Sequence, residues 1–168
     1  MGKPAKPRVV VSRCLGLAPC RYDGTMVPDD FIEGLKGRVA FHPVCPEMEI
    51  GLGCPRDPIR IVLVQGRRRL VQPSTGRDLS AAMRRFVRRF LDSLGRVDGF
   101  ILKAHSPSCG IRDTKVFGGP GDRMPIALGS GFFGKAVLGR FADRPVEDEV
   151  GLGDDATRAA FLARLLGR

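Results

Sequence analysis

Three short apolar runs, each followed by a cysteine, constrain the fold of this chain more than any other feature. The runs are "PRVVVS" before Cys14, "RVAFHPV" before Cys45 and "VDGFILKA" before Cys109. They lack the three-to-four spacing of apolar residues that marks a helix, so we expect them to form buried strands. In an open parallel sheet the ligand crevice lies beyond the carboxyl ends of the strands. The three thiols are therefore expected to converge at one crevice.

The segments between and after these runs carry helical or hairpin patterns. Asp30 is expected to cap a short helix through "FIEGLKG", and "PIRIVLVQG" with "RRLVQP" predicts a hairpin around Gly66. Helices are predicted over 78–94, through "GFFGKAVLGRF", and through "DDATRAAFLARLLG" with Asp154 or Asp155 as its cap, while "RPVED" predicts a last short strand. This order predicts an α/β protein with a layered Rossmann-like fold, in which helices flank a mostly parallel central sheet.

The helix over 78–94 has an apolar side and a basic side. Apolar residues recur at spacings of three and four, and the other side carries Arg84, Arg85, Arg88 and Arg89. A core-facing helix with a solvated basic face is the favoured interpretation, and a nucleic-acid contact surface is the alternative. The net charge of +10 favours anionic partners, RNA among them, but an aromatic content of 7% supplies few side chains for base stacking.

Length and hydropathy indicate one domain in the cytoplasm. A chain of 168 residues is long enough for one core and too short for two ordinary domains. No apolar run is long enough to span a membrane, and "MGKPAKPRVVV" lacks the apolar stretch of a secretory signal. Reducing conditions make the five cysteines poor disulfide candidates. The sequence does not indicate an oligomeric state.

The residues near the three cysteines suit a thiophilic metal centre. Three converging thiolates can hold zinc or an iron–sulfur cluster, whereas any single cysteine can also be a small buried apolar residue. Glu47 follows Cys45 by two positions and is a candidate acid or base, or else a surface carboxylate. Ser106 and Ser108 are expected either to cap a turn around Gly110 or to donate hydrogen bonds to a substrate. Arg21 and Asp23 form either a turn salt bridge or a ligand contact.

Three segments carry a resemblance to a known family. "VSRCLGLAPCRYDG", "HPVCPEMEIGLGCPR" and "LKAHSPSCG" resemble, in the same order, the signature segments of the DUF523 family, whose characterised members include thiouracil desulfurases. The resemblance implies a 4Fe-4S cluster held by Cys14, Cys45 and Cys109, with one iron free to bind the sulfur of 2-thiouracil or a related thiolated nucleobase or nucleoside. The reaction that the resemblance implies is a hydrolytic C–S cleavage, in which water replaces that sulfur.

The same resemblance implies roles for further residues of the motifs. Glu47 is implied as the acid/base residue and Ser106 as a hydroxyl that positions substrate or handles protons. Arg21, Asp23 and Ser108 are expected to bind substrate because of their polar side chains in the loops beside the cysteines, and not because of the resemblance. Cys20 and Cys54 match no obligatory cysteine of the family.

The segment after "SPSCG" departs from the compact family members. Its sequence, "IRDTKVFGGPGDRMPIALGSGFFGKAVLGRF", resembles members in which the desulfurase domain is fused to a second domain, DUF1722. We therefore expect residues 1–168 to form a single DUF523-like domain, with 150–168 a C-terminal helix that resembles the junction to an absent second domain. The rival hypotheses are a zinc-stabilised RNA-binding module and an iron–sulfur redox sensor.

Overall fold

The computed structural model describes residues 4–167, which form nine strands and five α-helices. The strands are β1 (Arg8–Ser12), β2 (Ala40–Val44), β3 (Arg60–Val64), β4 (Arg67–Gln72), β5 (Arg77–Asp78), β6 (Gly99–Leu102), β7 (Thr114–Phe117), β8 (Ala127–Gly129) and β9 (Val146–Asp148). The helices are α1 (Asp30–Leu35), α2 (Pro46–Glu49), α3 (Ser80–Ser93), α4 (Phe132–Arg140) and α5 (Asp155–Leu166). A 3-10 turn at Gly151–Gly153 precedes α5.

The central sheet is parallel, as predicted. Its strand order is β2-β1-β6-β9, and every neighbouring pair runs parallel. Val10 of β1 lies beside His42 of β2 on one side and Phe100 of β6 on the other. This pairing brings the carboxyl ends of β1, β2 and β6 to one edge of the sheet. The prediction of a layered α/β fold with helices around a parallel sheet is confirmed.

Both faces of the parallel sheet are buried, by different sets of elements. Val10 and Phe100 belong to a large apolar core that α3, α4 and strands β3, β4 and β7 share. Val9 and Val11 point to the opposite face, where α1 and α5 cover them with residues such as Leu35 and Phe161. Side chains alternate across a strand, so the continuous "VVV" run fills both cores at once.

A second, mixed sheet carries the predicted hairpin. Its strand order is β5-β4-β3-β7-β8, and β3 and β4 pair antiparallel with Val64 opposite Arg67. The turn between them lies at Gln65 and Gly66, which both adopt positive φ as a tight two-residue connection requires. The hairpin is confirmed. The sequence pattern did not reveal β5, β7 and β8, nor the four-residue helix α2.

The predicted helices are present, with one correction at a cap. Asp29, rather than Asp30, caps α1, because its carboxylate accepts a hydrogen bond from the Ile32 N–H at 2.9 Å, whereas Asp30 is the first helical residue. Asp154 caps α5 in the same way. In α3, Met83, Val87 and Leu91 are buried and the four arginines are exposed, as the amphipathic pattern predicted.

The predicted domain includes residues 1–3 and 168, which lie outside the described residues. Within residues 4–167, no helix is both long and apolar enough to cross a membrane.

Candidate functional site

A cavity of about 290 Å³ lies at the carboxyl ends of β1, β2 and β6. We call it the central cavity. Its wall consists of the loops that follow these three strands, together with Arg56. All but one of the predicted site residues line it: Cys14, Arg21, Cys45, Glu47, Ser106, Ser108 and Cys109. Asp23 is the exception.

Local structure fixes each of the three predicted cysteine ligands. Cys14 lies two residues beyond β1, and its carbonyl accepts a hydrogen bond from the Val27 N–H at 2.8 Å. Cys45 directly follows β2 and is the N-cap residue of α2, where Pro46 provides the preset φ of a first helical position. Cys109 lies in the loop after β6 and is buried. The three thiols therefore come from the ends of three adjacent parallel strands.

Ser106 shapes the loop that carries Cys109. Its hydroxyl oxygen accepts hydrogen bonds from the N–H groups of Ser108 at 3.1 Å and Cys109 at 2.9 Å. This is the turn-capping arrangement that was one of its two expected roles. Because the oxygen accepts both of these bonds, the hydroxyl can also donate its proton, and the Cys109 sulfur is one acceptor within its reach.

Cys20 is a fourth thiol of the central cavity, and Cys54 is not. Cys20 is buried, and the Cys45 Sγ lies 3.8 Å from the Cys20 carbonyl oxygen. The Cys54 Sγ instead lies against the carbonyl oxygens of Pro19 at 3.3 Å and Arg21 at 3.1 Å. Sequence reasoning could not separate these two cysteines, because their depth depends on how the two loops pack.

In the metal-free protein, raised pKa values hold Cys20, Cys45 and Cys109 in the neutral thiol form. A hydrogen bond with Cys14 is the main cause that raises the pKa of Cys20 to about 11. A hydrogen bond with Cys20 and burial raise the pKa of Cys45. Burial raises the pKa of Cys109 to about 12, although hydrogen bonds with Ser12 and Ser106 oppose the change. Crowded, desolvated thiols of this kind lose their protons readily only when a metal cation binds to the sulfur atoms.

Glu47 is held by two side chains at the wall of the cavity. The Arg56 Nε donates to Glu47 Oε2 at 2.8 Å, and the Ser108 hydroxyl donates to Glu47 Oε1 at 2.9 Å. The ion pair is largely buried, with 5% of the Arg56 side chain and 12% of the Glu47 side chain exposed. Each carboxylate oxygen has one bond of this kind and keeps a lone pair for a further donor.

Arg21 and Asp23 are arranged as a turn. The Asp23 Oδ1 accepts from the Thr25 N–H at 3.0 Å and from its hydroxyl, and these bonds lower the pKa of Asp23. Arg21 donates to the Thr25 hydroxyl at 3.1 Å and lies 4.0 Å from Asp23. Arg21 lines the central cavity, whereas Asp23 is exposed outside it.

The cysteines of the central cavity are arranged in a way that suits an iron–sulfur cluster better than a single metal ion. Among residues 4–167, no three His, Cys, Asp or Glu side chains lie close enough together to hold one metal ion. In a four-iron cluster each thiolate binds a different iron, so the thiolates stand farther apart. Three thiols on separate loops around one cavity match that requirement, and soft sulfur ligands are the ones that iron–sulfur clusters prefer.

The structure adds three residues to the site that the sequence did not single out. Arg56 ends the motif "GLGCPR", Ser12 ends β1, and Lys103 follows β6; all three line the central cavity. Lys103 forms an ion pair with Glu149 at 2.5 Å, while Ser12 accepts a hydrogen bond from the Lys103 N–H at 2.9 Å. The feature that marks Arg56 is its burial beside the predicted acid Glu47. The burial of a side chain cannot be inferred from a single sequence, so no sequence signal pointed to this residue.

A family model and a solved structure both connect this chain with thiouracil desulfurases. The model of the 2-thiouracil desulfurase family matches residues 9–149. The uncharacterized protein YbbK of Bacillus subtilis (strain 168) is 30% identical over 110 residues, which are 61% of this chain and 72% of that protein. A solved structure of the 4Fe-4S-dependent thiouracil desulfidase TudS (DUF523Vcz) superposes with a TM-score of 0.66 and 29% identity, over 92% of this chain and 99% of that chain.

Proposed function

The chain belongs to the 2-thiouracil desulfurase family, and on this basis we propose that it removes the sulfur of 2-thiouracil or a related thiolated uracil with the help of a 4Fe-4S cluster. The observation that carries the proposal is the convergence of three cysteines on one cavity beside a buried carboxylate. The structural likeness to a 4Fe-4S-dependent thiouracil desulfidase supports it.

Cys14, Cys45 and Cys109 are the proposed ligands of the cluster. They line the same cavity and come from three different strand ends, which leaves room between them. When bound, the cluster supplies an iron without a protein ligand, a soft Lewis acid suited to the sulfur of a thiocarbonyl.

Glu47 is the proposed base. Its two oxygens are fixed by Arg56 and Ser108, and each retains a lone pair that can accept a proton from water. Because the carboxylate is fixed on two sides, its orientation is set before the substrate enters. It therefore loses little entropy when it takes up that proton.

Ser106 and Ser108 would act on different partners. Ser106 lies at the cavity wall with a hydroxyl that can turn from the Cys109 sulfur to the substrate, and it is the proposed donor to the substrate. The Ser108 hydroxyl already donates to Glu47. Ser108 would therefore act on the substrate indirectly, by orienting the Glu47 carboxylate. Arg21 is proposed to contact the polar edge of the base from the cavity wall, and Asp23 to support the turn that presents Arg21.

The reaction balances without an electron donor or acceptor. One C=S bond is replaced by a C=O bond, the oxygen comes from water, and sulfur leaves as sulfide with the two protons that water supplied. Glu47 would carry one of these protons between water and the departing sulfur.

We also propose that the chain folds as one domain and works in the cytoplasm. The terminal helix α5 contributes Phe161 and Leu165 to the same apolar cluster as β1, so it is part of this fold rather than a loose extension. Ligand thiols must stay reduced to bind iron, which a reducing compartment favours.

Cysteine variants test the proposed ligand set. Cys14→Ser, Cys45→Ser and Cys109→Ser, purified without oxygen, are each expected to lose iron and desulfurase activity. Cys54→Ser is the matched control, because this thiol lies outside the cavity and a serine hydroxyl can still donate to the Pro19 and Arg21 carbonyls. The control should retain about four irons per chain. Full iron content in any of the first three variants would contradict the assignment of that cysteine.

A further inference from the structure

We propose that Arg56 is a positioning residue, which fixes the Glu47 carboxylate and joins it to the loop that carries Cys20 and Arg21. The inference rests on the proposed function, since it assigns Arg56 a purpose in the chemistry of Glu47. It extends that function to a residue whose motif position alone gives it no role.

The guanidinium of Arg56 donates hydrogen bonds to oxygen atoms of three different residues. Its Nε donates to Glu47 Oε2 at 2.8 Å, while its Nη1 donates to the carbonyl oxygens of Cys20 at 3.0 Å and Gly53 at 2.9 Å. The side chain is 5% exposed. A planar group with five fixed N–H donors can satisfy all of these acceptors at once, whereas an ammonium group is a point charge on a flexible stem.

The backbone around Arg56 holds the same loop. The Arg56 N–H donates to the Tyr22 carbonyl at 2.7 Å, and Cys54 lies against the carbonyls of Pro19 and Arg21. Residues 53–56 are therefore the support on which loop 19–22 rests. That loop forms one wall of the central cavity.

Loss of the guanidinium would release both partners together. Glu47 would keep only its bond from Ser108 and could rotate about its side-chain torsions, and the Cys20 carbonyl would lose a buried donor. A displacement of about 1 Å at a reacting group costs roughly 100-fold in rate. Arg56 itself is not proposed to touch the substrate. Its backbone N–H and Cys54 still hold Tyr22 and Arg21 when the guanidinium is lost, so the affinity for substrate should change little.

The test compares Arg56→Gln and Arg56→Lys with Glu47→Gln in anaerobically reconstituted protein. Arg112→Lys is the control, because Arg112 also forms an ion pair with a glutamate at 2.8 Å, with Glu147, but lies outside the cavity. Three quantities are measured: iron per chain, kcat and KM for 2-thiouracil, and the rate at which Cys20 is alkylated in metal-free protein, followed by mass spectrometry of its peptide.

The expected result is a loss of about 100-fold in kcat for both Arg56 variants. KM should stay within about threefold of wild type, iron content should be unchanged, and Cys20 should be alkylated faster. Arg112→Lys should resemble the wild type. If Arg56→Gln does not fold, Arg56→Lys decides by the same criteria, since it keeps the charge and loses the multiple donors.

Two other results overturn the inference and separate it from the proposed function. An inactive Glu47→Gln beside an Arg56→Gln variant with wild-type kcat would remove the positioning role alone. Wild-type turnover in Glu47→Gln would remove the role of Glu47 as base, and the positioning role of Arg56 would fall with it.

Discussion

Cys109 is the most deeply placed of the three proposed ligands, and burial raises its pKa to about 12 from an ordinary value of 9.0. The nearby Cys45 thiol and Glu47 carboxylate add repulsion to this burial, and the hydrogen bonds with Ser12 and Ser106 only partly oppose the two effects. Metal binding would supply the missing positive charge. The same thiol that is inert in the metal-free protein would then be a strong ligand.

The raised pKa predicts that the metal-free protein loses stability at alkaline pH. Above pH 9.0 the Cys109 thiol ionises in the unfolded chain but keeps its proton in the folded one until about pH 12, so the free energy of unfolding falls across this window. The share of Cys109, which is the difference between the wild type and Cys109→Ala, should be roughly 2 kcal/mol over the first one and a half pH units. Urea unfolding at several pH values measures it, with Cys109→Ala as the control. Equal slopes for both proteins would show that Cys109 is not the titrating group.

Some residues of the candidate site could be predicted from the sequence and others could not. Cys14, Cys45 and Cys109 could be predicted because strand ends are visible as apolar runs and parallel strands share an edge. Arg56 could not, because its importance comes from contacts with Glu47 and Cys20, at separations of 9 and 36 residues. Asp23 lies close to Arg21 in sequence but outside the cavity, because its carboxylate closes a turn on Thr25.

Helix α4 determines where the Cys109 loop lies, because the two are in direct backbone contact. The N–H groups of Gly131 and Phe133 donate to the carbonyls of Gly110 at 2.7 Å and Ser108 at 2.8 Å. A side chain at Gly134 would drive its Cβ into the Gly110 carbonyl oxygen, far inside van der Waals contact. Only glycine permits this approach, so the "GFFGKAVLG" segment serves the site as well as the core.

Gly134→Ala should therefore displace the Cys109 loop and destabilise the protein. Overpacking at such a contact costs about 1–3 kcal/mol, and the variant should also bind less iron. Gly139→Ala in the same helix is the control, because no atom lies within 4 Å of the position that its added methyl group would occupy. The control should be neutral or gain up to about 1 kcal/mol from helix propensity. Thermal unfolding and iron analysis distinguish the two, and equal behaviour would contradict the packing argument.

The elements that the sequence did not predict are short ones. Strands β5 and β8 have two and three residues, and α2 has four. Such segments are too short to show a period, and their structure comes from pairing with β4 and β7 or from capping at Cys45. The longer α3 was predictable because its apolar residues repeat over 14 residues.

The molecule as a whole combines a buried parallel sheet with a strongly basic surface. The sheet places the site at its carboxyl edge, and the net charge of +10 acts on any anion that approaches. The exposed arginines of α3 belong to this surface rather than to the central cavity. Turnover of an uncharged base should thus depend on the cavity and be nearly insensitive to ionic strength.

The proposed activity is tested most simply by adding 2-thiouracil to the iron-loaded protein without oxygen and measuring uracil and sulfide in the same sample. We predict that both products form in equal amounts over repeated turnovers, and that neither forms after the iron is removed. Unchanged 2-thiouracil with fully iron-loaded protein would contradict the desulfurase assignment and favour a redox sensor. A colourless protein that retains zinc and does not bind iron would contradict the cluster itself.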